Sequence, residues 1–183
     1  HTLERLVNQV VDVSTITAGR FSIDRQPFDI KEVVDEKAGQ WQPFMEERQL
    51  YFEISIPDIP LIVDGDRNRL GELMDHVLRN AHDYTLPGGR VALRVDCRER
   101  WILVDILDTG VGIRPDEIDR VFDSMYRGTA AAAGPTDSRG MGVGLYISKH
   151  IVELHQGRIR LGSAPDKGTH LRIELPISSR MTQ

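Results

Sequence analysis

Apolar residues recur along this chain with two periods, near 3.6 and near 2, and the switches between them lay out its elements. Leu3, Leu6, Val10 and Val13 fall three and four apart, and Val7 and Val11 widen the stripe. The spacing predicts an amphipathic helix from about Thr2 to Ala18, ended by Gly19. So wide a stripe wants a partner, either this chain's own core or another helix of a bundle, and the pattern leaves both open. Pro27 to Ile30 reads as a short extended piece, and Ile30 to about Glu47 as a second helix, bent or restarted at Pro43. Leu50 to Ile56 alternates as a strand and is closed by Pro57 and Pro60, before a short Leu61 to Val63 segment and an Asp64-Gly65-Asp66 turn able to cap the next helix.

From Arg67 to about Asp83, Leu70, Leu73, Met74, Val77, Leu78 and Ala81 share one helix face, which Pro87-Gly88-Gly89 terminates. Val91 to Val95 and Trp101 to Leu107 flank the charged turn Asp96 to Arg100 as a hairpin. Pro115 to Val121 predicts one short helix with proline in its first turn. Ser124 to Gly140, with its alanine run and Gly134-Pro135, has few apolar anchors and reads as a mobile lid. Gly142 to Gln156 is a last helix with Val143, Ile147, Ile151 and Leu154 inward and Gly157 as terminator; Arg158 to Leu161 and Thr169 to Leu175 close the chain as a hairpin. Helices and strands in this mixed order predict an α+β, two-layer sandwich, with helices on one face of a sheet.

Composition narrows the function classes. The 183 residues suffice for one principal domain, with 40% hydrophobic and 28% charged residues, as in ordinary globular chains. No apolar run approaches the length that crosses a bilayer, so membrane contact by this segment is not expected. A single cysteine, Cys97, excludes an internal disulfide and a cysteine metal framework and fits a reducing, cytoplasmic setting. A net charge of −5 argues against a nucleic-acid partner, so any polyanionic ligand must be held locally by backbone N–H groups, a metal ion or a few arginines.

Three constellations carry chemistry. Asp108-Thr109-Gly110-Val111-Gly112 stands where a strand ends. It is either a plain strand-to-loop turn or a site where an acceptor-only carboxylate takes a hydrogen bond from the amine of adenine while glycine backbone approaches the ring. Gly140-Met141-Gly142-Val143-Gly144-Leu145 runs into a helix. It is either a flexible hinge or a phosphate cradle built from the unpaired N–H groups of a helix start. Its spacing matches neither a dinucleotide fingerprint nor a P-loop. Asn80, inside a helix where asparagine is mildly unfavourable, is either a surface residue or an oxygen ligand for Mg²⁺ bridging nucleotide phosphates.

In chain order, Asn80-Ala81-x-x-Tyr84-Thr85, Asp108-x-Gly110-x-Gly112-Ile113, Val121-Phe122-x-x-x-Tyr126-Arg127 and Gly140-x-Gly142-x-Gly144-Leu145 resemble the asparagine, first glycine, phenylalanine and second glycine boxes of sensor histidine kinases. Ile151-Val152-Glu153-Leu154-His155-x-Gly157 and Gly168-Thr169 resemble that family's closing segment, and Leu6-Val7-x-x-Val10-x-Asp12-x-Ser14 the end of its second dimerisation helix. The resemblance implies a sandwich of a mixed sheet and three helices, shared with gyrase, Hsp90 and MutL ATPases, over residues 21–183, with residues 1–20 as the end of the dimerisation helix and its linker.

It further implies Mg-ATP as cofactor. Asn80 would sit on the metal, Asp108 and Thr169 would face adenine, with Gly110, Gly112 and Ile113 beside it, and Tyr84 and Asp83 would lie near the nucleotide. Gly140, Gly142, Val143, Gly144 and Leu145 would hold phosphates, and Arg127 would meet the γ-phosphate. The implied partners are a response regulator and the dimerisation and phosphoacceptor helices of the same full-length, homodimeric protein, which can itself be membrane-anchored.

Three positions, His76, Asp83 and Met125, depart from the family pattern. His76 stands where the kinases often have asparagine and the hydrolytic ATPases a glutamate; it reads as a helix residue with one satisfied nitrogen in preference to a proton-handling group. His82 reads as a surface residue. Asp83 replaces a residue that is often basic, and Met125 an aromatic whose packing methionine could absorb. These departures keep open a nucleotide-binding pseudokinase acting as an interaction module, and, less well suited to the amino-terminal helix and long lid, an anti-sigma serine kinase.

Overall fold

The computed structural model describes residues 2–129 and 141–178. A mixed five-stranded sheet lies beneath three helices, as the sequence predicts. It consists of β2 (Tyr51–Ser55), β4 (Arg90–Arg98), β5 (Trp101–Asp108), β7 (Thr169–Pro176) and β6 (Arg158–Ser163), in that spatial order. Strand β2 runs parallel to β4, and the other pairs are antiparallel, including both predicted hairpins. Alternation puts Leu93, Ile106, Leu171 and Leu161 in one row across four strands on the inner face, while Arg94, Asp105, Arg172 and Arg160 form the adjacent row outside. Helices α2 (Ile30–Glu47), α3 (Arg67–Tyr84) and α4 (Gly144–Leu154) cover the inner row with Val34, Met45, Leu73, Leu78, Ile147 and Ile151, all buried. Each large apolar side chain removed from water contributes about 1.5–3 kcal/mol.

Several local expectations change. The short Leu61 segment extends through the predicted Asp64-Gly65 turn as β3 (Ile62–Gly65), which pairs antiparallel with β1 (Gln26–Asp29) outside the main sheet. Helix α2 runs unbroken past Pro43, because the carbonyl that loses its partner belongs to exposed Gly39. Only Ile118–Arg120 of the expected Pro115 helix forms, as a single 3₁₀ turn. Helix α4 starts at Gly144 rather than Gly142, and the left-handed residue at its end is Gln156, with φ 59°, rather than Gly157. Most of the predicted lid, residues 130–140, lies outside the described residues.

Two contacts fix the helices that frame the site. Asp66 caps α3, accepting from the N–H groups of Asn68 and Arg69 at 3.0 and 3.1 Å. The Asp66 N–H in turn donates to His155 Nε2 at 2.9 Å, and His155 Nδ1–H must donate to the Ile151 carbonyl at 2.7 Å. The buried ring is thus locked in one neutral tautomer, tying the end of α4 to the start of α3, and burial pushes its pKa down.

Helix α1 (Thr2–Thr17) ends as expected, with Gly19 at φ 65° donating to the Ile16 carbonyl. Leu3, Val7, Val10 and Val11 are each more than half exposed, whereas polar Gln9 and Asp12 are buried against the domain beside Val13 and Ile16. No helix among the described residues is long and apolar enough to cross a membrane.

Candidate functional site

Strand β5 ends at Asp108, directly opposite Thr169 at the start of β7. Asp108 Oδ1 accepts from the N–H groups of Gly110, at 2.8 Å, and Thr169, at 3.1 Å. Burial pushes this carboxyl up to about 6, although the two N–H groups work against that rise. Such a group is poised to accept, when ionised, one more hydrogen bond from a ligand. The loop around it admits glycine alone at two points. A Cβ on Gly112, at φ 70°, would lie 1.9 Å from the Ala164 carbonyl oxygen, and one on Gly168, at φ 77°, would lie 1.8 Å from that of Asp108. Ser163 pins these segments together. Its Oγ accepts from the Ile113 N–H at 2.9 Å and donates to the Gly168 carbonyl at 2.7 Å.

Above this floor lies a cavity of about 440 Å³, within the range of small-molecule sites. Asp108, Gly112, Ile113 and Thr169 line one end, Asn80, Asp83 and Tyr84 of α3 one wall, and Gly142, Val143, Gly144, Leu145 and Arg127 the other. Of the predicted residues, Gly110 lies outside the lining and acts through Asp108, packed where a Cβ would come within 2.4 Å of the Tyr84 carbonyl oxygen. Gly140 lies outside the described residues. Three segments distant in sequence thus converge on one pocket.

The wall formed by the start of α4 has the features of a helix-start anion site. The N-cap residue of α4, Val143, offers no side-chain hydrogen bond, and no side chain among the described residues caps the first N–H groups, which suits them to an anion. Gly142 adopts φ 71° with its α-carbon packed against Tyr126 and Arg127, which aligns Arg127 along this wall. On the facing helix, no partner among the described residues engages the half-buried Asn80 amide. Burial raises the Tyr84 phenol, which Arg127 lowers and Asp83 raises further.

Asp83 lines the cavity, and His82 Nδ1 lies 2.7 Å from its carboxylate. His82 is correspondingly half-buried, 5.8 Å from the Trp41 ring, rather than on the surface. Met125 does not pack at all in the manner expected of an aromatic substitute; it is 69% exposed with φ 61°. His76 is buried, and its Nε2 has no hydrogen-bond partner.

Three lining or supporting residues escaped the sequence reading. Ser163 falls past the predicted strand end at Leu161, and only the proximity of Ile113 reveals its role. Glu117 accepts from the N–H and hydroxyl of Thr129 at 2.7 and 3.0 Å, fixing the chain just before residue 130, and those bonds hold its pKa down. Gln9 of α1 also borders the cavity.

The family model for histidine kinase-, DNA gyrase B-, and HSP90-like ATPases matches residues 65–179. The signal transduction histidine-protein kinase BaeS of Escherichia coli is 30% identical over 176 residues, covering 96% of this chain and 37% of BaeS. The sensor protein SrrB of Staphylococcus aureus is 30% identical over 174 residues, 95% of this chain and 29% of SrrB. The chain therefore spans about a third of the length of these relatives. Among solved structures, the mycobacterial sensor histidine kinase MprB superposes with a TM-score of 0.71 at 33% identity, over 83% of this chain and 98% of that one.

Proposed function

This chain belongs to the histidine kinase-, DNA gyrase B- and HSP90-like ATPase family, and from that premise we propose that it binds Mg-ATP and passes the γ-phosphate to a histidine on a dimerisation helix, in two-component signalling. The observation that carries the reading is the convergence of Asp108, Asn80 and the uncapped start of α4 on one cavity.

The residues divide the nucleotide between them. Ionised Asp108, its Oδ1 already occupied by two N–H groups, accepts the exocyclic amine of adenine, while Thr169 and Gly112 bound the ring. The N–H groups from Gly142 to Leu145 face the phosphates, and Arg127 offsets charge as the γ-phosphate departs. No cluster of three acidic, histidine or cysteine side chains among the described residues could hold a metal unaided. The half-buried Asn80 amide oxygen would be the protein's ligand to Mg²⁺, an ion that needs few protein ligands and would offset phosphate charge at this end of the site. His76 in place of a glutamate leaves no carboxylate base at that position for activating water, which favours transfer over hydrolysis.

The outward apolar stripe of α1 supports a helical partner: residues 1–20 as the end of a dimerisation helix of a homodimer, with a response regulator as the downstream acceptor. This part of the protein acts on the cytoplasmic side, where ATP is available. Calorimetric titration with ATP and GTP, with and without Mg²⁺, tests the reading. Mg²⁺-dependent binding of ATP in preference to GTP supports it; equal affinity for both nucleotides overturns the assignment of Asp108.

A further inference from the structure

Helix α1 reaches the cavity through a chain of polar contacts. Asp12, buried on the inner side of α1, meets Arg69 of α3 at 3.0 Å, and Arg69 meets Glu72 at 2.7 Å while its guanidinium lies 4.5 Å from the Phe21 ring. Burial alone would raise the Glu72 carboxyl, but the hydrogen bond and charge of Arg69 work against it and hold it low. Glu72 Oε1 is 3.6 Å from His76 Nε2, just beyond hydrogen-bond range. The opposite edge of the His76 ring lies against Gly144, where a Cβ would be 3.3 Å from Nδ1.

His76 therefore touches the phosphate wall with one side and the anchorage of α1 with the other. Gln9 Oε1 is a second buried polar atom without a hydrogen-bond partner among the described residues, and both residues border the cavity. Two unsatisfied polar atoms in one place are costly, at about 1–3 kcal/mol each, unless another state of the molecule satisfies them.

We propose that His76 is a positioning residue for the phosphate end of the site, and that Asp12, Arg69 and Glu72 carry the seating of α1 to it, so that α1 docking and ATP affinity rise and fall together. The inference rests on the nucleotide-binding reading above. A small movement that brings His76 Nε2–H onto Glu72 sets the ring beneath Gly144 and with it the N–H groups at the start of α4. By linkage, whatever ATP gains from a seated α1, a seated α1 gains from ATP. Adenosine, lacking phosphates, engages only the Asp108 end and is indifferent to α1.

The test is a double-mutant cycle read in ligand affinity, with Asp12→Asn at one end of the chain of contacts and His76→Leu at the other. Each single change is expected to weaken Mg-ATP about fivefold or more and to leave adenosine unchanged, and the double variant is expected to be no weaker than the weaker single one. Loss of ATP and adenosine affinity in equal proportion, or effects that multiply in the double variant, overturns the proposal.

Hydrogen exchange on the unsubstituted chain needs no variant to fold. Slower exchange of the Leu6 to Val13 amides with Mg-ATP than with adenosine supports the coupling, and identical exchange overturns it. A chain that binds neither ligand would overturn the nucleotide reading itself; one that binds both with α1 unresponsive would overturn the coupling alone.

Discussion

Asp108→Asn should make the ligand-free protein more stable while disabling its recognition of adenine. Burial raises the carboxyl from 3.8 to about 6, so the folded chain takes up a proton in that interval which the unfolded chain does not. The ionised group therefore lowers stability at pH 7 and above, and the penalty disappears as pH falls through 6 towards 3.8. At about 1.4 kcal/mol per pH unit the full penalty is on the order of 3 kcal/mol. An asparagine oxygen can still accept from Gly110 and Thr169, so neither backbone group is stranded.

Denaturant unfolding of both chains at pH 7.5 and near pH 4 should show the variant more stable by about 1–3 kcal/mol at the higher pH and equal at the lower. Calorimetry should show ATP binding weakened by about 1.5–3 kcal/mol, because the new amide can present a donor to the adenine amine. A variant less stable than wild type at pH 7.5, or one that binds ATP normally, would refute the assignment.

Three further outcomes rest on the same geometry. Ser163→Ala should cost about 1–3 kcal/mol in chemical unfolding, because Ile113 N–H and the Gly168 carbonyl lose their shared partner; a neutral result would mean that the loop relaxes around the gap. Gly112→Ala should abolish folding or ATP binding, seen in circular dichroism and titration, since its Cβ would overlap the Ala164 carbonyl; a folded, binding variant would contradict the packing described. Asp83→Lys should tighten ATP more than ADP and more at low than at high salt, by less than about 2 kcal/mol because Mg²⁺ and salt screen the charge; a salt-independent ratio would place Asp83 away from the phosphates.

Periodicity and glycine spacing made the helices, both hairpins and most of the pocket legible, because each depends on residues close in sequence. Asp108 and Gly112 left a plain turn open by themselves and were tied to a ligand only through the resemblance of the four ordered boxes to sensor histidine kinases. The β1–β3 pair and the parallel placement of β2 could not be read, since both depend on where distant segments meet. Nor could Ser163, whose hydroxyl matters only because Ile113 and Gly168 arrive beside it. Helix α1 shows the limit of hydrophobic pattern most clearly. Its stripe identified a helix, but the face turned to the domain is the polar one, selected by Arg69 drawing in Asp12. His82 and Asp83, read as independent residues, became one hydrogen-bonded pair through adjacency at a helix end.

The central claim is that this cavity delivers the γ-phosphate of ATP to a histidine supplied by a dimerisation helix. Incubating the chain with Mg²⁺ and ATP labelled at the γ-phosphate, together with that helix segment of the same protein, tests it directly. Acid-labile label is expected on the supplied helix, with none on the six histidines of this chain alone, and transfer is expected to be lost in Asn80→Ala. Label on the isolated chain, or transfer that survives Asn80→Ala, would contradict the claim.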